Sequence, residues 1–329
     1  MTLAPPRTGE LTAEIDSPVL SVALSPDFAR DRKCFAASPA GLHSSGDGGK
    51  TWERAIPFEV PYPALTVALS PDYARDGQLF AGITGGVMRS WTYGQTWSMA
   101  AVGNPPATIL CLAVSPAFSQ DSVVFAGSET DGVFRSADRG TTWQPWKFGL
   151  MDLQVLCLGL SPAFARDESV FAGVSSGVFH SKNGGRAWRE TAFPIEAAPV
   201  LCLALSPEFD RDGVLFAGTE SAGLYRSPDR GLTWTPIGPH PAQGTVNAIL
   251  LDGGFATRPH LLIATDQGLF VSRDSGQSWM IWASAPDVLA LAGEPGPAVA
   301  WQRVLAGLSG GGATWISPDS PENHRVLDN

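Results

Sequence analysis

Short apolar segments of four to seven residues recur along the chain, and each is bounded by Gly, Pro, Asp or Ser. One unit contains such segments at residues 201–205, 215–218 and 223–226, and a fourth that starts at Trp234. Short runs of apolar and β-branched residues between turn residues are typical of β-strands. The pattern therefore predicts an all-β chain built from four-stranded units.

A polar motif, Ser-x-Asp-x-Gly-x-Thr-Trp or a close variant, precedes the fourth segment in six units. Its tryptophans lie 45 or 46 residues apart. A period of this size in a Gly-rich chain is typical of a β-propeller, in which four strands make one blade. The motif residues to which we assign a structural role are Ser45, Asp47, Trp52, Ser90, Trp97, Ser136, Asp138, Trp143, Ser181, Asn183, Trp188, Ser227, Asp229, Trp234, Ser272, Asp274 and Trp279.

A weaker seventh unit follows Trp279, with apolar segments at residues 288–291, 304–307 and 313–316 but no Trp-led fourth segment. Residues 10–16 hold another apolar segment, directly before the first unit. We expect this N-terminal segment to complete the last blade, because ring closure removes open sheet edges. The prediction is one domain over residues 1–329, a seven-bladed propeller of four-stranded antiparallel blades with a C-terminal tail at 321–329.

The six motif copies resemble the Asp-box, or BNR, repeat. Families with this repeat include sialidases, xyloglucan-cleaving hydrolases, sortilin-type receptor domains and photosystem II assembly and stability factors. In size and blade number the chain is most similar to the last group and to other bacterial BNR-repeat propellers. The resemblance implies a propeller fold and leaves both a scaffold and a glycan-active protein open.

Each motif copy is expected to hold the hairpin between the third and fourth strands. Asp and Ser side chains bond nearby backbone groups, Gly supplies a positive φ, and Trp adds apolar surface between blades. The variants Thr92 and Asn183 can still bond locally. We therefore assign the motif no ligand and no chemistry.

Composition and charge narrow the possible partners. The chain is 44% hydrophobic and 16% charged, which argues against disorder. Its net charge of −10 argues against binding to nucleic acid or to anionic membranes. No apolar run is long enough to span a bilayer, so we expect no membrane insertion. The N-terminus shows no signal peptide, which predicts a cytoplasmic protein, or an extracytoplasmic one if a leader has been removed. Outside its complex we expect a monomer.

Three of the four cysteines, Cys111, Cys157 and Cys202, fall at the same place in successive first strands, and Cys34 begins a second strand. A metal ring, a disulfide or a small core residue would each fit this placement. The equivalent positions in the other units carry only Ser, Thr or Ala, which favours crowded core positions that accept small side chains. We predict four free thiols, no metal and no cofactor.

Two of the families that share the motif are enzymes. Sialidases use a Tyr nucleophile, but Tyr73 and Tyr225 replace Phe in the repeat and are expected to pack. Xyloglucan hydrolases place an acid and a base across a cleft between two propellers. The recurring arginines of the loop after the first strand are expected to pair with the Asp that follows each of them, or with backbone. These arginines are Arg30, Arg75, Arg166 and Arg211. We predict that the protein is not an enzyme.

The remaining candidates lie in loops from the fourth strand of one blade to the first strand of the next. The loop after the third motif has the densest group of aromatics and Met, the residue types enriched in interface cores. The predicted partner-binding residues are Trp146, Lys147, Phe148 and Met151, together with Phe58, Tyr62 and Trp282. Local capping of the blade would also explain them. The sequence favours a non-catalytic protein-binding scaffold or assembly factor, and the alternative is a glycan-binding protein or glycoside hydrolase that uses Glu129, Asp131 or Glu220.

Overall fold

The computed structural model describes residues 15–56, 62–238, 244–285, 287–294, 301 and 303–317. Its strands form seven antiparallel sheets, the blades of a β-propeller. Six sheets have four strands, and the last has three among the described residues. Each first strand contacts the first strand of the next blade, and the first strand of blade 7 contacts that of blade 1. The predicted seven-bladed propeller is confirmed.

Every sheet follows chain order from the innermost strand outward. The strands of blades 1 to 4 are β1 (Ser21–Leu24), β2 (Cys34–Ser38), β3 (Gly41–Ser45), β4 (Glu53–Arg54); β5 (Ala64–Leu69), β6 (Leu79–Ile83), β7 (Gly86–Ser90), β8 (Ser98–Ala101); β9 (Ile109–Val114), β10 (Val124–Ser128), β11 (Val133–Ser136), β12 (Gln144–Pro145); and β13 (Val155–Leu160), β14 (Val170–Val174), β15 (Gly177–Ser181), β16 (Arg189–Glu190). Those of blades 5 to 7 are β17 (Val200–Leu205), β18 (Leu215–Thr219), β19 (Leu224–Ser227), β20 (Thr235–Pro236); β21 (Val246–Leu251), β22 (Leu261–Thr265), β23 (Gly268–Ser272), β24 (Met280–Ala283); and β25 (Val288–Gly293), β26 (Val304–Leu308), β27 (Ala313–Ile316).

The connection between first and second strands contains a one-turn helix in each of the first five blades. The sequence predicted only a turn there. These helices are α1 (Phe28–Asp31), α2 (Tyr73–Asp76), α3 (Phe118–Asp121), α4 (Phe164–Asp167) and α5 (Phe209–Asp212), and a 3-10 helix at Ile195–Ala197 precedes blade 5. No helix among the described residues has the length and apolar character needed to cross a membrane.

Aromatic pairs join neighbouring blades through these helices. The ring of a Phe in the second strand of one blade makes an edge-to-face contact with the aromatic residue that begins the helix of the next blade. Phe80 and Phe118 are an example, with ring centroids 5.8 Å apart. Tyr73 makes the same contact with Phe35 at 5.9 Å and is fully buried. Edge-to-face pairs stabilise a core beyond their burial alone. Tyr73 therefore has the packing role that its place in the repeat predicts.

The inner ring is crowded where the cysteines lie. The thiols of Cys111, Cys157 and Cys202 each donate a weak hydrogen bond to the carbonyl oxygen of the first residue in the next inner strand, at 3.6, 3.6 and 3.3 Å. A Cβ at Gly127, opposite Cys111, would lie 2.4 Å from its sulfur. All four cysteines are free thiols. Burial raises the pKa of Cys111 and of Cys202 to about 12, which keeps both thiols protonated at neutral pH.

Blades 7 and 1 meet through side chains at the end of the ring. The indole N–H of Trp315 donates to the carbonyl oxygen of Gly48 at 2.6 Å, and its ring centroid lies 5.4 Å from that of Phe28. Ile15 is buried, and the Val19 N–H donates to Leu308 O at 3.0 Å. Most of the expected closing strand at residues 10–16 and the tail at 321–329 lie outside the described residues. Closure by the N-terminal strand and the domain boundaries therefore stay predictions.

Candidate functional site

The six copies of the polar motif, called Asp boxes here, form hydrogen-bond networks within their own turns. In the first box the Ser45 hydroxyl donates to Asp47 Oδ1 at 2.8 Å and accepts from the Gly49 N–H at 2.8 Å. The backbone N–H and hydroxyl of Thr51 donate to the two carboxylate oxygens at 3.0 and 2.7 Å. The hydroxyl and N–H of Thr51, and then the Ser45 hydroxyl, hold the pKa of Asp47 well below its usual range. The carboxylate therefore supports a turn.

The two divergent boxes keep part of this network. Thr92 Oγ1 accepts from the Thr96 N–H at 2.8 Å. Asn183 Oδ1 accepts from the Ser181 hydroxyl and from the Ala187 N–H, both at 2.9 Å. Local bonding thus survives without a charge, as the structural interpretation of the boxes expects.

A second repeated turn follows the first strand, and it corrects the predicted role of its arginines. The Asp at the end of each helix from α1 to α5 accepts from the Ser hydroxyl six residues earlier, as in Ser25 to Asp31 at 2.6 Å. Three of the four arginines pair with other acids. Arg30 pairs with Asp27, Arg211 with Glu208, and Arg166 with Asp210 of the next blade at 2.6 Å. The carboxylate of the following Asp thus accepts a Ser hydroxyl in each of the five turns.

The loop after the third box is fixed in place while its apolar side chains point outward. Phe148 and Met151 are 80% and 84% exposed. The backbone N–H of Trp188 in blade 4 donates to the carbonyl oxygen of Phe148 at 2.8 Å, and a Cβ at Gly149 would lie 2.4 Å from the carbonyl oxygen of Trp188. Lys147 is half-buried, and its carbonyl oxygen accepts from the Leu150 N–H at 3.0 Å. The loop thus holds two exposed apolar side chains on a bonded backbone.

The two tryptophans predicted to bind a partner both make contacts between blades. Trp146 is half-buried, with the guanidinium groups of Arg135 and Arg186 at 4.3 and 5.5 Å from a ring centroid of its indole. Its carbonyl oxygen accepts from the Trp188 indole N–H at 2.7 Å. Trp282 is only 4% exposed, in a core cluster that joins blades 6 and 7. The structure does not offer Trp282 to a partner.

The other predicted contact residues lie apart from this loop. Tyr62 is 37% exposed and belongs to the connection between blades 1 and 2. Phe58 lies outside the described residues. Sequence reasoning missed Ile195, which is 68% exposed on the connection from blade 4 to blade 5. Its position directly after Pro194, in a loop between two strands, was the feature of the sequence that could have indicated an exposed side chain.

Structural comparison of the repeats identifies a recess that sequence reasoning also missed. We call the space between the third and fourth strands of one blade and the Asp box of the next the inter-blade slot. The residue three positions after the Trp of one box faces the Gly of the next box. A Cβ placed at Gly185 would lie 3.3 Å from Trp146, and a Cβ placed at Gly231 would lie 3.2 Å from Thr191. Open grooves occur where this residue is Ala55, Thr191 or Ile237, with volumes of about 300, 580 and 310 Å³.

The acidic candidates for glycan chemistry are spread over two blades. Glu129 and Asp131 lie in the turn after β10, and Glu220 lies in the equivalent turn after β18. Blade 4 stands between these turns. The fold therefore does not place Glu220 beside the two acids of blade 3.

No protein-family model and no curated protein sequence matches the chain. Among solved structures it is similar to the GH74 xyloglucanase from Xanthomonas campestris, with 18% identity, a TM-score of 0.72, and coverage of 96% of this chain and 55% of that one. An ancestral GH74 enzyme gives 18% identity, a TM-score of 0.75, and coverage of 96% and 46%. The extracellular domain of a putative one-component system from B. thetaiotaomicron gives 15% identity, a TM-score of 0.67, and coverage of 94% of this chain and 39% of that one. The chain spans about half or less of these proteins, and the likeness shows the propeller fold alone.

Proposed function

We propose that the protein is a non-catalytic protein-binding scaffold or assembly factor. Its binding surface, called the loop surface here, consists of Phe148, Met151 and Ile195 on the connections that leave blades 3 and 4. The observation that carries the proposal is the exposure of Phe148 and Met151 on a fixed loop, 80% and 84%.

The energetics of association support this use of the loop. Aromatic and Met side chains are enriched in interface cores, and a few of them carry most of the binding energy. Ordering a flexible loop on binding costs free energy. Here the Trp188 N–H already holds the loop backbone at Phe148 O, so that cost is reduced. The loop surface thus suits a partner with an apolar recess for Phe148.

The glycan alternative has weaker support. It rests on the fold shared with GH74 structures, and one fold hosts many unrelated functions. Glu129 and Glu220 lie at equivalent turns of blades 3 and 5, which does not favour an acid and base acting on one bond. We therefore propose binding without hydrolysis.

The test compares capture of host proteins by the wild type and by the double variant Phe148→Ala/Met151→Ala. Leu232→Ala is the matched control, because Leu232 is 65% exposed on the box of blade 5, away from the loop surface. Any protein captured by the wild type and the control is purified, and its Kd is measured with all three chains. We expect a partner whose Kd rises at least about 30-fold with the double variant, which corresponds to about 2 kcal/mol.

Two results would count against the proposal. One is a partner that binds the double variant as tightly as the wild type. The other is hydrolysis of xyloglucan oligosaccharides or sialosides that is lost on changing Glu129 or Glu220. Equal melting temperatures of the three chains show that the comparison reports binding and not folding.

A further inference from the structure

The slot between blades 4 and 5, called the 4/5 groove here, is about 580 Å³ and lies within the size range of small-molecule sites. It is open because two positions of the repeat carry shorter or withdrawn side chains. Thr191 stands where blade 3 has Trp146. His180 stands where blade 2 has Arg89, whose guanidinium crosses to Thr141 and to the Arg139 carbonyl oxygen of blade 3.

His180 is held away from the opening. Its imidazole lies flat on Phe171, with ring centroids 4.0 Å apart and an interplanar angle of 12°, and Nε2 lies 2.6 Å from the Ser169 hydroxyl. Burial, and then the charges of Lys182 and Arg230, lower the pKa of His180 to about 4, so the ring is neutral at pH 7. The imidazole therefore forms an uncharged, flat part of the groove wall.

The charged groups that line the groove are unbalanced. Lys182, Arg189 and Arg230 face a single acid, Glu190. Across the described part of the chain, no carboxylate lies within ion-pair distance of these three cations. Arg230 instead donates to the backbone carbonyl oxygen of Asp210 at 2.6 Å. A chain with a net charge of −10 thus carries a local cationic site.

The groove between blades 1 and 2 gives a natural comparison. There Glu53 pairs with Ser44 across the strands, at the position where Arg189 pairs with His180 in blade 4. The fourth strand is Glu53–Arg54 in blade 1 and Arg189–Glu190 in blade 4. An acid therefore stands in blade 1 where Arg189 stands in blade 4. The excess of cations is therefore larger in the 4/5 groove, where three cations face one acid, than in the groove between blades 1 and 2, where Lys33 and Arg54 face Glu53.

We propose that the 4/5 groove binds a small organic anion, with a carboxylate or phosphate group at Arg189 and Lys182 and an apolar body against Leu232 and the His180 ring. Guanidinium groups bind both oxyanions through paired hydrogen bonds. The site shares no residue with the loop surface and is independent of the scaffold function.

The test is titration calorimetry with benzoate and phenyl phosphate at constant ionic strength, with inorganic phosphate as a comparator. We expect saturable binding of at least one aromatic anion to the wild type. Arg189→Glu, which copies the charge found in blade 1, should weaken it at least tenfold, and Thr191→Trp, which copies blade 3, should abolish it. The stronger of the two aromatic anions identifies the preferred oxyanion.

Two controls keep the test specific. Lys33→Gln and Arg54→Gln each remove a cation from the groove between blades 1 and 2 and leave the lining of the 4/5 groove unchanged. Both should bind within twofold of the wild type. The proposal is overturned if the wild type binds neither aromatic anion, if Arg189→Glu binds as the wild type does, if Arg54→Gln loses as much as Arg189→Glu, or if inorganic phosphate binds as tightly as phenyl phosphate.

Discussion

On one side of blade 4, the indole of Trp146 lies against two guanidinium groups and meets the Gly185 turn of the next box. On the other side, Thr191 holds the equivalent place and leaves a groove of about 580 Å³. The strand order, the box turn and its glycine recur in both slots, although Asn183 of one box is replaced by Asp229 in the other. Two positions in a repeat of 45 or 46 residues, those of Thr191 and His180, therefore separate a packed blade interface from a candidate binding site.

The comparison extends to the other Trp at this repeat position, and its removal should have the largest effect. Trp282→Ala deletes a side chain that is only 4% exposed, between blades 6 and 7. We expect a loss of about 4 kcal/mol in the free energy of unfolding, because a cavity replaces a buried indole. Chemical denaturation measures this, and a loss below about 1 kcal/mol would show that Trp residues at this position do not hold blades together.

Opening the filled slot should cost less. Trp146→Thr copies blade 4 into blade 3 and removes a half-buried indole together with its cation–π contacts. We expect a loss of about 2 kcal/mol in the free energy of unfolding. Phe148→Ala, two residues away and 80% exposed, is the control and should change stability little. Equal losses for the two variants would contradict the distinction between packing and surface residues.

The boxes that border the two slots also differ, by one charge. Asp229 of the 4/5 slot accepts from the Thr233 N–H and hydroxyl at 2.8 and 2.6 Å, whereas Asn183 of the 3/4 slot accepts one N–H from Ala187 at 2.9 Å. Asp229→Ala should cost about 1 kcal/mol of stability, and Asn183→Ala less. Denaturant titration measures the loss in the free energy of unfolding for each variant. A larger loss for Asn183→Ala than for Asp229→Ala would mean that the carboxylate is not the stronger support.

Acid should act on the charged box alone. Burial raises the pKa of Asp229, but hydrogen bonds from Thr233 and then from Ser227 outweigh it, so the pKa is lowered. A lowered pKa contributes stability above the unfolded value near 4 and loses it as the pH falls below that value. Melting curves at pH 7 and pH 3 should therefore show a smaller acid-induced drop for Asp229→Asn than for the wild type. An identical drop would remove the carboxylate from the account of acid stability.

Seven blades, the strand order and the supporting role of the boxes could be predicted because each follows from the period of the repeat. The slots could not, because they depend on which side chain crosses between blades. Trp146 reads as a loop aromatic after a fourth strand, and the strand does end at Pro145, but the indole lies on the blade interface. Aligning the repeats shows Thr191 and His180 as departures. Their effect on volume and charge needs the coordinates.

The most direct test of this account is a crystal structure of Thr191→Trp. The account predicts that the new indole lies in the slot beside Gly231 and Leu232, as Trp146 lies beside Gly185 and Arg186, and that the groove of about 580 Å³ is filled. A structure in which the indole points to solvent and the groove keeps its volume would contradict the claim that a Trp at this position closes the slot.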